Sequence, residues 1–250
     1  MTRTALLNNI DHKDLKVITQ HAAAFGDSIN QVLIFPTEFE MIQREYPILL
    51  RKDSSDDFQA VALLGLDQGE NLFLDEQGWH ARYVPALLAR GPFLIGFKEK
   101  AVDGEPRREP MIHVDLDHPR ISRAEGEPVF LPHGGNSPYL ERVIRVLGLM
   151  HHGVTFSRPM YTAFAESGLI EPVAVEVNLN DRESFILSDY YTIGEDRLRA
   201  LSGAHLAQLH ASGALRAAYF VASSLGNVSR LIEFKNRRRA QVKASPAGAG

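Results

Sequence analysis

A pattern with a period of two residues, centred near residue 175, places the strongest constraint on the fold. Valine or leucine occupies every second position from Val173 to Leu179, with alanine, glutamate and asparagine between them. Such alternation is typical of a strand with one buried face and one solvated face. Asn180-Asp181-Arg182 then favours a turn into a second strand that ends at Thr192. The segment therefore predicts an antiparallel hairpin.

Most of the first half of the chain is also predicted to form strands. The run from Phe58 to Leu66 is almost entirely apolar, as in a strand that is buried on both faces. Further strands are predicted at Gln31–Phe35, Phe93–Phe97 and Met111–Asp117, and the charged stretch Glu99–Pro110 is interpreted as an exposed loop.

The second half favours helices. Ser137-Pro138 combines a capping hydroxyl with proline at the first helical position, which predicts a helix start. Thr192-Ile-Gly-Glu195 has the spacing of a capping box and precedes an amphipathic leucine pattern. We therefore predict a single α+β domain over residues 1–240, with a mainly antiparallel sheet and helices concentrated in the C-terminal half. Residues 241–250 are predicted to form a disordered tail.

Composition excludes several classes of site. The 250 residues include no cysteine, which excludes disulfides, thiolate zinc sites and cysteine nucleophiles. The net charge of −4 favours solubility. No apolar run reaches the roughly 18 residues of a membrane span, and no secretory signal precedes Asp11. These features predict a soluble cytoplasmic protein without a membrane span.

An aromatic-rich stretch lies around Glu70 and Asn71, between residues 70 and 83. Phe73, Trp79 and Tyr83 could supply contact area to a sugar or a peptide, while Glu70 and Asn71 fix its orientation. These five residues form the predicted ligand site. The alternative interpretation is that the rings are ordinary core and hairpin residues.

His113 and Asp115 suggest a metal-dependent enzyme as a second hypothesis. Residues two apart on a strand share a face, so both side chains would project together. With a distant histidine they would complete a facial triad for Fe(II), as in non-haem oxygenases. The third ligand would be His133, His151 or His152. A polar strand end that turns into Pro119 explains the same residues without any cofactor.

The C-terminal segment is basic. Six basic residues and one glutamate lie between Gly226 and Lys243, and Arg237, Arg238 and Arg239 are consecutive. Such a run could bind the phosphates of a nucleic acid or an acidic surface of a partner protein. A solvated helix end explains the run equally well. Because Phe234 is the only ring in the segment available to stack on a base, nucleic acid is not the partner that we expect.

Short motifs spread over most of the chain together resemble the SapC family of bacterial proteins. They are Phe35-Pro-Thr-Glu-Phe39, Tyr46-Pro-Ile48, Ala62-Leu-Leu-Gly-Leu66, Gly69-Glu-Asn-Leu-Phe73, Gly78-Trp79, Tyr83-Val-Pro85, Gly91-Pro-Phe93, Asp115, Asp189–Thr192 and Ser224-Leu225. The similarity spans roughly Asn30 to Lys235. The resemblance implies an association with a bacterial surface layer, and it brings no established reaction and no catalytic residues.

These observations predict a non-catalytic binding or accessory protein of the SapC type. It would act in surface-layer assembly or in the uptake and processing of a peptide or sugar nutrient. Its partner would be an unidentified protein or a small ligand, and it would need no cofactor. The Fe(II)-dependent oxygenase and the nucleic-acid binder are the alternatives.

Overall fold

The computed structural model describes residues 3–102, 105–180 and 183–244. Its strands are β1 (Thr4–Leu6), β2 (Lys16–Val17), β3 (Gln31–Ile34), β4 (Ile48–Lys52), β5 (Phe58–Leu63), β6 (Leu74–Asp75), β7 (Gly78–Trp79), β8 (Phe93–Val102), β9 (Glu105–Asp115), β10 (Ile121–Ser122), β11 (Glu127–Pro128), β12 (Ile170–Asn180) and β13 (Glu183–Ile193). Its helices are α1 (Phe39–Ile42), α2 (Ala86–Ala89), α3 (Pro138–Glu166), α4 (Glu195–Arg199), α5 (Gly203–Ala211), α6 (Ala214–Ser224) and α7 (Asn227–Ala244), and 3₁₀ turns lie at Ala23–Phe25 and Pro36–Glu38. The strand pairs in these ranges are antiparallel and most helical residues follow Pro138, which confirms the predicted α+β class.

Backbone contacts divide the chain into two compact units. The first comprises Met1–Asp27 and Ala86–His152, and the second comprises Ser28–Pro85 and Gly153–Gly250. The first unit holds the sheet β1-β9-β8 and the small sheet β10-β2-β11. The second holds the five-stranded sheet β12-β13-β4-β5-β3 and the pair β6-β7. That residues 1–240 form a single domain stays a prediction.

The core of the first unit lies between the β8–β9 hairpin and the first part of α3. Phe93 and Val114 are opposite each other on the hairpin, and both are fully buried. Leu140 and Leu147 of α3, which are seven residues apart and share a helix face, pack into the same cluster. Ser137 caps the helix as predicted, because its Oγ accepts the N–H of Leu140 at 3.1 Å.

A buried ion pair fixes the segment that precedes residue 28. Nη2 of Arg120 lies 2.6 Å from Oδ2 of Asp27, and the two residues are 4% and 2% exposed. Nη1 of Arg120 also donates to the carbonyl oxygens of Ile18 and Gln20, at 3.1 and 2.6 Å. Burial of Asp27 acts to raise its pKa, but hydrogen bonds from His21 and the charge of Arg120 outweigh burial and hold that pKa below the ordinary value.

The loop predicted at Glu99–Pro110 is wrong. These residues extend β8 and β9 into one long hairpin, of which residues 103–104 lie outside the described ranges. Lys98 lies opposite Glu109 and Glu99 lies opposite Arg108. Cross-strand pairs of opposite charge stabilise antiparallel strands by roughly 0.2–1 kcal/mol each. The charged composition is therefore that of a solvated hairpin.

Strand β5 of the five-stranded sheet in the second unit pairs with the edge strand β3 on one side and with the middle strand β4 on the other. Ala60 to Leu63 are at most 1% exposed, in agreement with the buried strand predicted there. Helix α6 packs against β4 and β13. At its end the fully buried Ser224 accepts the N–H of Ile48 at 2.8 Å and thereby fastens the helix to the sheet.

The C-terminal elements confirm some local predictions and correct others. The predicted hairpin is present as β12 and β13, with residues 181–182 outside the described ranges. The predicted capping box is wrong: Thr192 lies in β13, its buried Oγ1 has no hydrogen-bond partner among the described residues, and Gly194 precedes α4. Helix α7 runs to Ala244, so the first residues of the predicted tail are helical, and residues 245–250 lie outside the description.

No helix within the described ranges combines the length and the apolarity needed to cross a membrane.

Candidate functional site

The predicted ligand residues lie close together, but their polar atoms are used within the fold. Nε1 of Trp79 donates to the hydroxyl of Tyr46 at 2.9 Å, and that hydroxyl donates to the carbonyl oxygen of Tyr83 at 2.5 Å. The hydroxyl of Tyr83 donates to Oε2 of Glu38 at 2.9 Å. We call these four residues the tyrosine network. Phe73 packs against Tyr46 with their ring centroids 4.5 Å apart.

Burial determines what the tyrosine network can do chemically. Tyr46 and Glu38 are 0% and 1% exposed. Burial raises the pKa of the Tyr46 and Tyr83 hydroxyls well above the ordinary tyrosine value, so both stay protonated as hydrogen-bond donors. The tyrosine network therefore holds the segment around residue 80 against the Pro36–Glu38 turn and against Tyr46, which follows α1.

Glu70 and Asn71 are also engaged. Oε1 of Glu70 lies 2.7 Å from the buried Nζ of Lys235, and its Oε2 accepts the N–H of Leu66 at 3.1 Å. The Asn71 side chain accepts the N–H of Phe73 at 2.9 Å and is 3% exposed. Both residues thus shape the turn that follows β5.

The basic segment uses part of its charge to fasten α7. Nζ of Lys235 contacts Asp67 at 2.5 Å as well as Glu70. Burial acts to lower the pKa of Lys235, but the hydrogen bonds to these two carboxylates outweigh burial and raise it. Arg238 donates to the carbonyl oxygens of Asn71 and Leu74, at 3.1 and 2.6 Å.

The remaining arginines of the segment lie nearer the solvent. Arg237 is exposed and lies 5.5 Å from the centroid of the Phe234 ring, whereas Arg239 is half-buried. Because Lys235 and Arg238 neutralise or cover groups of this protein, fewer cations face outward than the sequence suggested.

The predicted metal ligands are not brought together. His113 is opposite Leu94 on β8, whereas Phe97 is opposite Pro110, so His113 and Phe97 lie on different faces of the hairpin. The His151 ring packs 5.4 Å from Phe97 and therefore lies on the face away from His113.

The ring of His113 instead lies over β8. A Cβ atom at Gly96 would come within 2.6 Å of it, so the glycine makes room for the imidazole. Asp115 uses Oδ1 to accept the N–H of Asp117 at 3.0 Å. Within the described residues, no group of three histidine, aspartate or glutamate side chains is arranged to hold a metal ion.

An open groove of about 610 Å³ lies in the second unit, between the Pro36–Glu38 turn, α3 and the start of α6. We call it the α6 groove. Its lining combines apolar and polar groups from Pro36, Thr37, Phe156, His210, Gly213, Leu215, Arg216 and Tyr219. Ligand sites are typically concave, of about 300–1,000 Å³, and mostly apolar with a few polar groups. The α6 groove has these properties.

Two glycines shape the walls of the α6 groove. A Cβ atom at the buried Gly153 would lie 2.5 Å from Cβ of Phe35 and 2.7 Å from Oγ1 of Thr37, so glycine lets the turn approach α3 closely. Gly213 has a φ of +76° and joins α5 to α6 in a left-handed conformation that favours glycine.

Arg216 is the principal charged group of the α6 groove. Its Nη1 lies 3.7 Å from Oε2 of Glu40, and the two side chains are 74% and 47% exposed. That separation exceeds the roughly 2.7–3.2 Å of a hydrogen bond, so the pair is a loose surface contact. The guanidinium N–H groups can therefore reach an anionic group in the groove.

Tyr219 lines a smaller depression as well as the α6 groove. The tyrosine is 53% exposed and lines both spaces. The depression has a volume of about 220 Å³ and is also lined by Glu195, Leu198, Arg199, Ala222 and Ser223. The carboxylate of Glu195 is paired with Arg199 at 2.9 Å. The depression therefore contributes mainly apolar surface.

A further groove of about 380 Å³ lies between the β4–β5 turn and α3. Asp56, Asp57 and Glu166 line it together with Arg158. Asp56 is held by Nζ of Lys52 at 2.9 Å. Its mixed charge gives no preference for one class of ligand.

Comparison with known proteins identifies the family of the chain. The model of the SapC family matches residues 7–231, a span that extends further towards the N-terminus than the similarity seen by eye. No curated protein and no solved structure matches the chain. The matched span includes all residues that line the α6 groove and ends before Lys235 and the three consecutive arginines. Because the match covers far more than half of the sequence, the chain belongs to the SapC family.

Proposed function

We propose that this protein is a soluble, non-catalytic binding protein that holds a small organic ligand in the α6 groove. The setting that we propose is the cytoplasm, in surface-layer assembly or in the uptake and processing of a peptide or sugar nutrient. The nucleic-acid alternative has less support, because α7 uses Lys235 and Arg238 to dock on its own protein.

The observation that carries the proposal is the lining of the α6 groove. Phe156, Leu215 and Tyr219 offer apolar surface, while Arg216 and His210 lie beside it with exposed side chains. Apolar walls supply binding free energy, and a few polar groups orient the ligand. The residues predicted earlier at 70–83 are better explained as structural, since the tyrosine network and Lys235 occupy their polar atoms.

A non-catalytic role is supported by the titratable groups of the α6 groove. His210 is its one imidazole, and none of its lining residues in the described ranges is a carboxylate that could orient that ring. General acid–base catalysis by histidine usually relies on such an orienting partner. The oxygenase hypothesis has no comparable support, because His113 and His151 lie on opposite faces of the hairpin.

The proposal is tested by ligand-observed NMR with a panel of dipeptides, tripeptides, disaccharides and trisaccharides. We expect one of these classes to bind the full chain and to bind Tyr219→Ala at least tenfold more weakly, because truncating a central aromatic contact typically costs more than about 1.4 kcal/mol. Ile10→Ala is the matched control, since Ile10 is 80% exposed and lies in the first unit. If no probe binds, or if Tyr219→Ala binds as tightly as the wild type, the proposal is wrong.

A further inference from the structure

We infer that the ligand of the α6 groove is a short peptide, bound by its C-terminal carboxylate at Arg216 and by an apolar side chain against Phe156 and Leu215. The inference rests on the proposed function, because it names the class of ligand that the same groove accepts.

The charge of the groove points to a carboxylate. Among the described residues that line the groove, Arg216 is the one formally charged side chain, and it is positive. A guanidinium presents paired N–H donors that match a carboxylate in a bidentate geometry. The carboxylate of Glu40 lies 3.7 Å from Nη1 of Arg216 and is about half exposed, so an incoming carboxylate can replace it.

The walls of the groove favour an apolar group over a sugar. Phe156 and Leu215 face the space together with Tyr219. A saccharide carries many hydroxyls, each of which loses hydrogen bonds to water unless the protein replaces them. An aliphatic side chain loses no such bonds and gains free energy in proportion to the apolar area that it buries.

The smaller depression indicates that the ligand is longer than one amino acid. Tyr219 lines both the α6 groove and the smaller space beside Leu198 and Ala222, so the two spaces meet at its side chain. In an extended peptide successive side chains point to opposite sides of the backbone. A peptide that crosses the Tyr219 ring can therefore place one side chain in the groove and its neighbour in the depression. A single amino acid would fill only one of the two.

The test is isothermal titration calorimetry of the full chain with three defined probes: alanyl-alanyl-leucine, the same peptide with a C-terminal amide, and maltotriose. We expect the free acid to bind at least tenfold more tightly than the amide. Arg216→Gln should remove this preference, and Arg216→Lys should keep part of it. Arg158→Gln is the matched control, because it removes the same charge from the same unit outside the α6 groove. Glu40→Gln should strengthen binding of the free acid about twofold or more, because it removes the competing carboxylate.

The possible results distinguish a failure of the carboxylate inference from a failure of the proposed function. Equal affinity for acid and amide, or equal weakening of both by Arg216→Gln, overturns the carboxylate inference and leaves the binding function intact. Binding of maltotriose alone, with loss in Tyr219→Ala, does the same and assigns the groove to sugars. If none of the three probes binds, and none of the wider panel binds either, both the inference and the proposed function are wrong.

Discussion

Gly153 provides a direct test of how the α6 groove is built. In Gly153→Ala the new methyl would lie 2.5 Å from Cβ of Phe35 and 2.7 Å from Oγ1 of Thr37, which is closer than such atoms can approach. Relief requires the turn and α3 to separate, and overpacking of this kind typically costs about 1–3 kcal/mol. Alanine in a helix interior is more stable than glycine by about 0.5–1 kcal/mol. The variant should therefore lose between about 0 and 2.5 kcal/mol in net free energy of unfolding.

Gly148 supplies the matched control. It lies in the same helix, and a Cβ atom there would meet nothing within 4 Å. Gly148→Ala should thus gain the helix-propensity term alone, about 0.5–1 kcal/mol. Urea denaturation followed by far-UV circular dichroism measures both variants, and their difference isolates the overpacking cost. If Gly153→Ala is as stable as Gly148→Ala, the close contact between the turn and α3 does not exist as described.

Two further substitutions test the buried charges. Lys235→Met leaves the carboxylate of Glu70 without its cation and should lower the free energy of unfolding by about 2–3 kcal/mol in the same urea assay. Arg237 is exposed, so the control variant Arg237→Met should change the free energy of unfolding by less than about 1 kcal/mol. Asp27→Asn leaves the buried Arg120 without a countercharge and should cost about 3–5 kcal/mol at neutral pH. Because the folded pKa of Asp27 is lowered, the stability that its carboxylate contributes is present above about pH 4 and is lost as the pH falls below that value. The difference in free energy of unfolding between wild type and Asp27→Asn should therefore shrink below about pH 4. A constant difference from about pH 7 to 3 contradicts the lowered pKa of Asp27.

Local sequence patterns predicted one helix start correctly, at Ser137, and one wrongly, at Thr192. A comparison of these two residues shows why. Ser137 directly precedes its helix, and its hydroxyl oxygen accepts the N–H of Leu140. Thr192 has an equally good pattern, but it is paired with Glu171 in the β12–β13 ladder. The strand register directs its side chain into the protein, and tertiary pairing overrides the local preference.

The candidate site was harder to predict than the fold because hydrogen-bond partners are distant along the chain. The aromatic and polar residues from 70 to 83 do lie together, as their clustering in the sequence indicates. What the sequence conceals is that Tyr46 and Glu38 satisfy the Trp79 and Tyr83 side chains, and that Lys235 reaches back to Glu70. Composition shows which groups can bind a ligand, but not whether the fold has already used them.

The structure does not support the metal hypothesis, which required a histidine from a distant part of the chain to lie beside His113 and Asp115. Alternation along β9 does place His113 and Asp115 on one face, as a strand requires. No local rule reports on which face a histidine from another element will lie, and His151 packs on the other face, beside Phe97. The α6 groove was missed for a similar reason, since its walls come from segments around residues 37, 156 and 215. The one local sequence feature that touches the α6 groove was the Phe35–Phe39 motif, which contains Thr37.

The residues that hold the walls of the α6 groove in place differ from the residues that would contact a ligand. Gly153 and Ser224, which hold the turn and α6 in place, are buried. Tyr219 and Arg216, which line the space, are 53% exposed and 74% exposed at the side chain. Exposed side chains contribute little to folding, so their replacement typically changes stability by less than about 0.5 kcal/mol. A loss of binding in Tyr219→Ala or Arg216→Gln can therefore be assigned to the ligand contact itself, whereas a loss in Gly153→Ala must first be corrected for the movement of the wall.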